Sequence, residues 1–300
     1  MADGKDIKKK KSHIFIKLLL LILIIVLLFI LYSKYIGVKG LIVKEYRVES
    51  DILTENFSGI KIIHFSDLLY KSTVDKDDIK KMVNRMNELK PDIVVFTGDL
   101  VDISKKITED DKNFLIKELS SINAKISKYA IYGDYDFSFK YYDEIMNKSG
   151  FKMLNNSYDE IYYKNNDNIY IVGIPSSIKA NDSLQKAYEF YSDKDRKYII
   201  TLVHDGKTIK YLDNSSYETD LILGGHSLNG SIVIPFYGGI FIDDASYKYY
   251  DEQYKKGITN IFISSGLGTK KYNYRFNNKP SFNLYRLKAQ PWVVLFHNIW

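Results

Sequence analysis

The 300-residue sequence contains no cysteine, which excludes disulfide bonds and thiolate catalysis and leaves every cellular compartment open. It also contains no repeat of solenoid period and no long linker. A chain of this length with 45% hydrophobic residues can bury a large core. We therefore predict one globular domain over residues 41–300.

The excess of positive over negative charge is confined to the N-terminus. Residues 1–44 hold nine lysines and two aspartates, a net charge of +7, so of the formal net charge of +6 the rest of the chain carries −1. A near-neutral globular part has no overall basic surface, which argues against a nucleic-acid partner. The 26 tyrosines are spread along the whole chain, which indicates a compositional bias rather than a base-stacking surface.

The N-terminus carries one long apolar run. From Ile14 to Tyr32 the only charged residue is Lys17, and 19 helical residues span about 28 Å, close to the hydrocarbon thickness of a bilayer. Six lysines precede or enter this run and four basic residues follow it, which favours a cytoplasmic N-terminus only modestly. We predict a basic tail over 1–13, a single-pass transmembrane signal anchor over 14–35 and an extracytoplasmic domain.

A cleaved signal peptide is the alternative interpretation of this segment, since it also has a basic start and an apolar middle. However, no A-x-A-like cleavage site follows the run, and the run is long for the apolar region of a signal peptide. We prefer the retained anchor.

Beyond the anchor, apolar strand-like runs alternate with charged helical patterns. The patterns predict helices over 75–90 and 110–126, and another between the runs "KYIITLVHD" and "TDLILGGHS". Continuous β-branched runs separated by helices indicate a sheet that is buried on both faces. Later runs, "GSIVIPF" and "ITNIFISSG", also read as strands, and the apolar tail "QPWVVLFHNIW" is interpreted as an edge strand rather than a membrane-dipping segment.

Five of the strand-like runs end in side chains that bind metals. Ligand sites in open α/β sheets lie outside the carboxyl ends of the strands. Carboxylate and imidazole ligands together suit Zn, Mn or Fe better than Ca. The five residues at these ends are Asp67, Asp99, Asp134, His204 and His226.

Each of these residues also has an ordinary structural explanation. An aspartate after a strand commonly forms a turn or caps a helix, and a buried histidine is commonly hydrogen-bonded structure. His64, inside its strand, is predicted to be structural, and His13 and His297 stand outside the pattern. The joint occurrence at five strand ends favours a metal site.

The motifs "SDLLY … FTGDLVD … YGDYDF … LVHDG … GGHSLNGSIVIPFYG … SSGLGT" resemble, in this order, those of the calcineurin-like metallophosphoesterases, and in particular their membrane-associated branch. The resemblance runs from about Phe57 to Leu287. It implies a four-layer αββα sandwich with two metal ions in its cleft. It also implies hydrolysis of a phosphoester by metal-activated water, with a histidine that assists the leaving group.

In such proteins the first metal site would use Asp67, a histidine at position 69, the bridging Asp99 and a histidine at position 228. Here the two histidine positions hold Leu69 and Leu228. Leucine cannot donate electrons to a metal, so the resemblance implies that the first site has lost half of its ligands.

The second metal site implied by the resemblance is complete. It would use Asp99, Asp134 in place of an asparagine, His204 and His226. The additional carboxylate should hold a divalent cation more tightly. We predict one divalent ion of Mn, Zn or Fe at the second site, with Asp67 as an outer partner.

The catalytic histidine of the resemblance is replaced by Tyr135, followed by a retained Asp136. Both are assigned here to the catalytic part of the site. Loss of a general acid typically slows a reaction by about 10²–10⁴-fold, and a phenol with a pKa near 10 is poorly matched to neutral pH. We expect slow turnover, or turnover of substrates with good leaving groups.

Two functions compete. The first is a membrane-anchored phosphoesterase whose substrate is linked to a lipid or to the cell envelope, because the anchor places the cleft near such molecules. The second is a catalytically inactive binding or scaffold protein that retains the fold, with or without one structural metal. The complete second site favours the enzyme.

Overall fold

A computed structural model of the chain describes residues 3–164, 167–177, 184–192, 194 and 196–290. The apolar tail that is predicted to form an edge strand covers residues 290–300, of which only Gln290 belongs to the described residues, and its interpretation stays a prediction.

The apolar N-terminal segment forms helix α1, Asp3–Leu31, which continues as a π-helical stretch over Tyr32–Ile36. Its part from His13 to Ile36 contains an 18-residue apolar window with a mean hydropathy of 3.5, and none of that window is buried. This is one helix long and apolar enough to cross a bilayer, as the sequence predicts.

Local capping sets the ends of the longer helices. Asp75 accepts hydrogen bonds from the amides of Asp77 and Asp78 and forms a capping box with Asp78, and left-handed Lys90 ends the helix before Pro91. The helices beyond the anchor are α2 Lys76–Leu89, α3 Glu109–Ser120, α4 Tyr142–Lys148, α5 Leu184–Ala187 and α6 Gly206–Asp213.

The helix predicted over 110–126 is shorter than expected. Asn87 of α2 accepts a hydrogen bond from the amide of Asn123 and donates one to the carbonyl of Ser121. These bonds satisfy the backbone after residue 120 and turn the chain toward the next strand, so α3 ends at Ser120.

Fourteen strands occur in the described part of the chain, in two large sheets and one hairpin. In chain order they are β1 Ile42–Ser50, β2 Lys61–Phe65, β3 Ile93–Phe96, β4 Ser127–Ala130, β5 Phe151–Met153, β6 Ser157–Tyr163, β7 Asp167–Gly173, β8 Ile199–Leu202, β9 Leu221–Gly224, β10 Val233–Ile234, β11 Gly238–Gly239, β12 Gln253–Lys256, β13 Thr259–Ile263 and β14 Ser281–Ala289.

The first sheet has the order β1-β14-β2-β3-β4-β5, and the second has the order β12-β13-β9-β8-β7-β6. Parallel pairing joins β2 through β5 in the first sheet and β13, β9, β8 and β7 in the second. The carboxyl ends of each parallel set therefore meet at one edge of their sheet. Only Val233 and Ile234 of the predicted strand "GSIVIPF" are extended, in the short β10–β11 hairpin.

The two sheets pack face to face. Buried residues of both sheets, among them Ile62, Tyr129, Ile200 and Phe262, belong to one apolar cluster. The outer face of the first sheet packs against α2, α3 and α4 through side chains such as Met82.

The outer face of the second sheet is covered in the same way. Ile199 and Ile222 share a cluster with Ile209 and Leu212 of α6 and with Ala187 of α5. Two sheets between two helical layers form the predicted four-layer αββα sandwich.

Candidate metal centre

The five predicted ligands all follow strands of the two parallel sets. Side chains from the edges of both sheets therefore lie in one buried region. Four of the five residues are 5% exposed or less. The strands that position them are β2 for Asp67, β3 for Asp99, β4 for Asp134, β8 for His204 and β9 for His226.

Four of these side chains surround one point. His204 Nε2 lies 3.5 Å from Asp99 Oδ2 and 3.9 Å from Asp134 Oδ2. His226 Nδ1 lies 3.0 Å from Asp134 Oδ2 and 3.3 Å from His204 Nε2. Ligand atoms at about 2.0–2.2 Å from a common ion stand at comparable distances from one another. The set that the resemblance assigns to the second metal site is thus brought together. Within it, Asp99, His204 and His226 each offer a donor atom, and these three atoms lie within 4.8 Å of one another.

Hydrogen bonds on the far side of each imidazole direct a lone pair into the site. His204 Nδ1 donates to the carbonyl of Thr97 at 2.7 Å, which leaves Nε2 without a proton in the neutral ring. His226 Nε2 donates to the carboxylate of Asp243 at 2.9 Å, which leaves Nδ1 without a proton in the neutral ring. Both rings are therefore oriented as metal ligands usually are.

Glycines make the close approach possible. A Cβ atom on Gly133 would lie 2.5 Å from Asp99 Oδ1 and 2.8 Å from His204 Cε1, and one on Gly225 would lie 2.6 Å from Asp67 Oδ2. Any larger residue at these two positions would push the carboxylates and the imidazole apart.

A lysine that the sequence analysis missed enters the centre from the loop after β13. Lys270 Nζ lies 3.2 Å from Asp99 Oδ2, 3.4 Å from Asp67 Oδ1 and 2.9 Å from His226 Nδ1. Those two carboxylate oxygens are buried and accept no hydrogen bond from the part of the chain that the structure describes. Both therefore face cations rather than ordinary donors.

Burial alone would raise the pKa of Asp99, but Lys270 and His204 hold that pKa well below its usual range. Burial alone would likewise lower the pKa of His204, but Asp99 raises that pKa overall. Protons and metal ions therefore compete for His204 Nε2.

Asp67 contributes both of its oxygens to this region. Oδ2 accepts a hydrogen bond from the amide of His226 at 2.9 Å, and Oδ1 faces Lys270. It lies beside the four-ligand set, where the predicted outer partner belongs.

The two positions that would hold further histidines, Leu69 and Leu228, are buried among this loop and its neighbours. A Cβ on Gly266 would lie 2.5 Å from Leu228 Cδ2, and one on Gly268 would lie 2.5 Å from Leu69 Cβ. Leu228 lines a cavity of about 290 Å³ together with His226 and Lys270. Apolar side chains thus fill this corner of the site.

Asp136 has a different environment from the other carboxylates. Its oxygens accept hydrogen bonds from the amides of Asp99, Leu100 and Gly133, at 2.7, 2.9 and 2.8 Å. The side chain therefore ties the loop after β3 to the loop after β4, which is a positioning task. Its predicted catalytic task stays a prediction.

Tyr135, at the catalytic position, donates its amide to Asp99 Oδ1 at 2.9 Å. The ammonium of Lys270 lies 5.7 Å from the centre of its half-buried ring. Burial raises the pKa of the Tyr135 phenol, which makes it a weaker acid than an exposed tyrosine.

Sequence reasoning found the residues that follow strands and missed two that do not. Asp243 and Lys270 lie in loops, one after the β10–β11 hairpin and one after β13. The segments "IFIDDAS" and "GLGTKKY" carry no spacing that would distinguish these side chains from surface charges.

Comparison with known proteins agrees with this architecture. A model of the family described as Calcineurin-like phosphoesterase matches residues 60–230. The chain is similar to the uncharacterized metallophosphoesterase YkuE of Bacillus subtilis (strain 168), with 30% identity over 261 residues that cover 86% of this chain and 89% of the relative. It is similar to a transmembrane protein with metallophosphoesterase domain from Danio rerio, with 22% identity over 71% of this chain and 54% of the relative.

A shorter stretch is similar to the UDP-2,3-diacylglucosamine pyrophosphatase LpxG of Chlamydia muridarum (strain MoPn / Nigg). The identity is 31% over 80 residues, which cover 27% of this chain and 23% of the relative. The family match at residues 60–230 includes every predicted metal ligand and ends before Lys270.

Proposed function

Because the chain belongs to the calcineurin-like phosphoesterase family, we propose that it is a membrane-anchored, metal-dependent phosphoesterase with one divalent ion at the second site. The observation that carries this proposal is the convergence of four donor atoms, 3.0 to 3.9 Å apart in the pairs given above. Both imidazole lone pairs face the same point. Residues that only capped helices or formed turns would have no reason to share it.

The ion would be held by Asp99, Asp134, His204 and His226. A divalent cation in such a site activates water and polarises a phosphoryl oxygen. The protein's own contribution is to fix the two imidazoles through Thr97 and Asp243 and to present two carboxylates, of which that of Asp99 is completely buried.

Departure of the leaving group is the weak step. Tyr135 occupies the position of the family's catalytic histidine, and its raised pKa makes it a poor proton donor at neutral pH. We therefore expect good leaving groups to be favoured. The contacts of Asp136 maintain the loop that carries Tyr135.

Contacts through Phe276 connect the β10–β11 hairpin to the apolar N-terminal helix. Phe29, within the apolar span, packs against Phe276 with ring centroids 4.8 Å apart. The carbonyl of Phe276 accepts a hydrogen bond from the amide of Val233 in the β10–β11 hairpin. Phe236 and Tyr237, at the tip of that hairpin, are fully or largely exposed. An apolar tip tied to the anchor is expected to meet the bilayer.

The cavity beside Lys270 is also lined by Phe241 and Tyr272, whose rings lie 5.0 Å apart. An apolar wall next to charged ligands suits a phosphoester that carries acyl chains. The name of the Chlamydia relative, a diacylglucosamine pyrophosphatase, supports this substrate class. We propose a lipid-linked phosphoester or pyrophosphate as substrate, with the N-terminus cytoplasmic and the domain on the outer side.

The test uses the full-length protein in detergent, purified with Mn²⁺. We expect about one equivalent of bound metal, and turnover of bis-p-nitrophenyl phosphate, an activated phosphodiester. Replacing both imidazoles, His204→Ala with His226→Ala, should abolish both signals. His13→Ala, which removes a histidine of the anchor helix, is the matched control and should retain them.

Correctly folded protein without bound metal would defeat the proposal. The alternative function, an inactive binding protein, is favoured by the leucines in the first site and by Tyr135 at the catalytic position. It predicts bound metal without turnover of activated substrates.

A further inference from the structure

Hydrogen bonds of a buried side chain fix the loop that holds Lys270 in the centre. The guanidinium of Arg275, which is fully buried, donates hydrogen bonds to the carbonyls of Ser265 and Gly268, at 2.8 and 2.6 Å. The amide of Gly268 in turn donates to the carbonyl of Asp67 at 2.9 Å. The loop that carries Lys270 is thus fixed to the segment that carries the carboxylate it contacts.

The ammonium contacts the two residues that remain of the first metal site implied by the resemblance. Of the four first-site positions, the two retained residues are Asp67 and Asp99, and both face Lys270 Nζ at 3.4 and 3.2 Å. The other two are leucines, whose side chains provide no ligand atom for a cation. We propose that the Lys270 ammonium permanently takes the place of the first metal ion, so that the centre combines one exchangeable divalent cation with one covalently attached monovalent cation.

The backbone at the two leucines supports a substitution at former ligand positions. Leu69 and Leu228 have φ angles of 45° and 50°. The left-handed region is unfavourable for leucine, and histidine populates it several times more often than most residues. Both positions therefore keep a conformation that suits the residue they lack.

Charge balance points the same way. The carboxylates of Asp67, Asp99 and Asp134 are buried or largely buried and carry three negative charges. One divalent ion and the Lys270 ammonium neutralise these three charges. Two divalent ions beside Lys270 would leave a surplus of two positive charges among largely buried side chains, which is unfavourable.

The proposal also explains the contact with His226. Lys270 Nζ lies 2.9 Å from Nδ1, the lone pair that the second-site ion requires. Lysine therefore opposes the divalent ion both by repulsion and by competition for this atom. Its removal should strengthen binding at the second site by about tenfold or more.

The test measures Mn²⁺ stoichiometry in full-length protein in detergent. Of the proposed function, it requires only that the second metal site exists. A double variant, Leu69→His with Leu228→His, restores the missing ligands while Lys270 remains. We expect it to bind one Mn²⁺, as the wild type does. Adding Lys270→Ala to the double variant should raise the stoichiometry to two.

A second Mn²⁺ in the double variant would overturn the proposal, as would a folded triple variant that binds only one. The double variant retains Lys270, so its result does not depend on whether variants without Lys270 fold. Circular dichroism of each variant identifies the folded ones.

The second measurement is the Mn²⁺ dissociation constant. Lys270→Ala alone should lower it by about tenfold or more, whereas Lys271→Ala, which removes the neighbouring exposed lysine, should leave it unchanged. An unchanged constant in Lys270→Ala contradicts the proposal. Zero Mn²⁺ in the wild type with one in Lys270→Ala would support the role of the ammonium and defeat the proposed one-metal enzyme, so the two failures are distinguishable.

Discussion

His64 should make the stability of this protein depend on pH. Its side chain is completely buried in β2, and Nε2 lies 2.8 Å from the hydroxyl of Thr97. Burial lowers the pKa of His64 from 6.5 to about 3, so the ring is neutral in the folded protein at ordinary pH. This agrees with the structural role that the sequence predicts for it.

The sign and size of the effect follow from linkage. The unfolded chain binds a proton at His64 below about pH 6.5, whereas the folded chain does not until about pH 3. The free energy of unfolding therefore falls as the pH falls through this window, by about 1.4 kcal/mol per unit once the unfolded ring is protonated. Between pH 7.5 and pH 5 the contribution of His64 is about 2 kcal/mol.

The assay is urea unfolding of the full-length protein in detergent with EDTA, followed by circular dichroism at pH 7.5, 6 and 5. His64→Gln should lower stability at every pH and should lack the loss of about 2 kcal/mol toward pH 5. His13→Gln removes an exposed histidine and should keep the wild-type slope. Parallel stability curves for wild type and His64→Gln would refute the reasoning.

Two further predictions concern the orientation of His226 and the apolar hairpin. Asp243→Ala removes the acceptor that fixes His226 Nε2 and should weaken Mn²⁺ binding by about 10–100-fold. The control variant, Asp244→Ala, should leave Mn²⁺ binding unchanged. Equal dissociation constants for the two variants would show that the carboxylate of Asp243 is dispensable. Phe236→Ser with Tyr237→Ser should reduce turnover of a lipid-linked phosphodiester in vesicles by about tenfold or more relative to turnover of bis-p-nitrophenyl phosphate. Tyr162→Ser, at a 58% exposed tyrosine in the second sheet, is the control, and equal ratios in all three proteins would argue against membrane contact by the hairpin.

Much of the centre was accessible from the sequence because strand ends obey a geometric rule. Parallel strands of one sheet end at one edge, so a metal-binding side chain after each strand implies convergence without any coordinates. Asp67 and Asp99 follow adjacent strands of the first sheet, and His204 and His226 follow adjacent strands of the second. What the rule cannot supply is the packing of one sheet on the other, which the resemblance provided.

The boundaries of other elements depended on contacts distant in sequence. The helix predicted to reach residue 126 ends at Ser120 because Asn87, in another helix, binds the backbone after it. Within the predicted strand "GSIVIPF", positive φ angles at Ser231 and Phe236 interrupt the extended backbone, and only Val233 and Ile234 belong to a strand. Local propensity contains no information about such partners.

Lys270 shows why the loss of a metal ligand is easier to detect in a sequence than the residue that replaces it. A leucine at position 69 or 228 interrupts a motif of fixed spacing and is visible at once. The compensating charge comes from a loop more than forty residues after His226, where no spacing constrains it. Hydrogen bonds from Arg275 and from the amide of Gly268 fix this loop, and none of them is visible as a sequence motif. The loss of metal-binding residues from a sequence is therefore weak evidence that the site holds no cation. A single basic residue from an adjacent loop can neutralise the carboxylates that remain. For this protein the question of activity reduces to whether one divalent ion and one ammonium stabilise the transferring phosphoryl group as two divalent ions would, and the Mn²⁺ stoichiometry of the Leu69→His and Leu228→His variant decides whether that pairing exists.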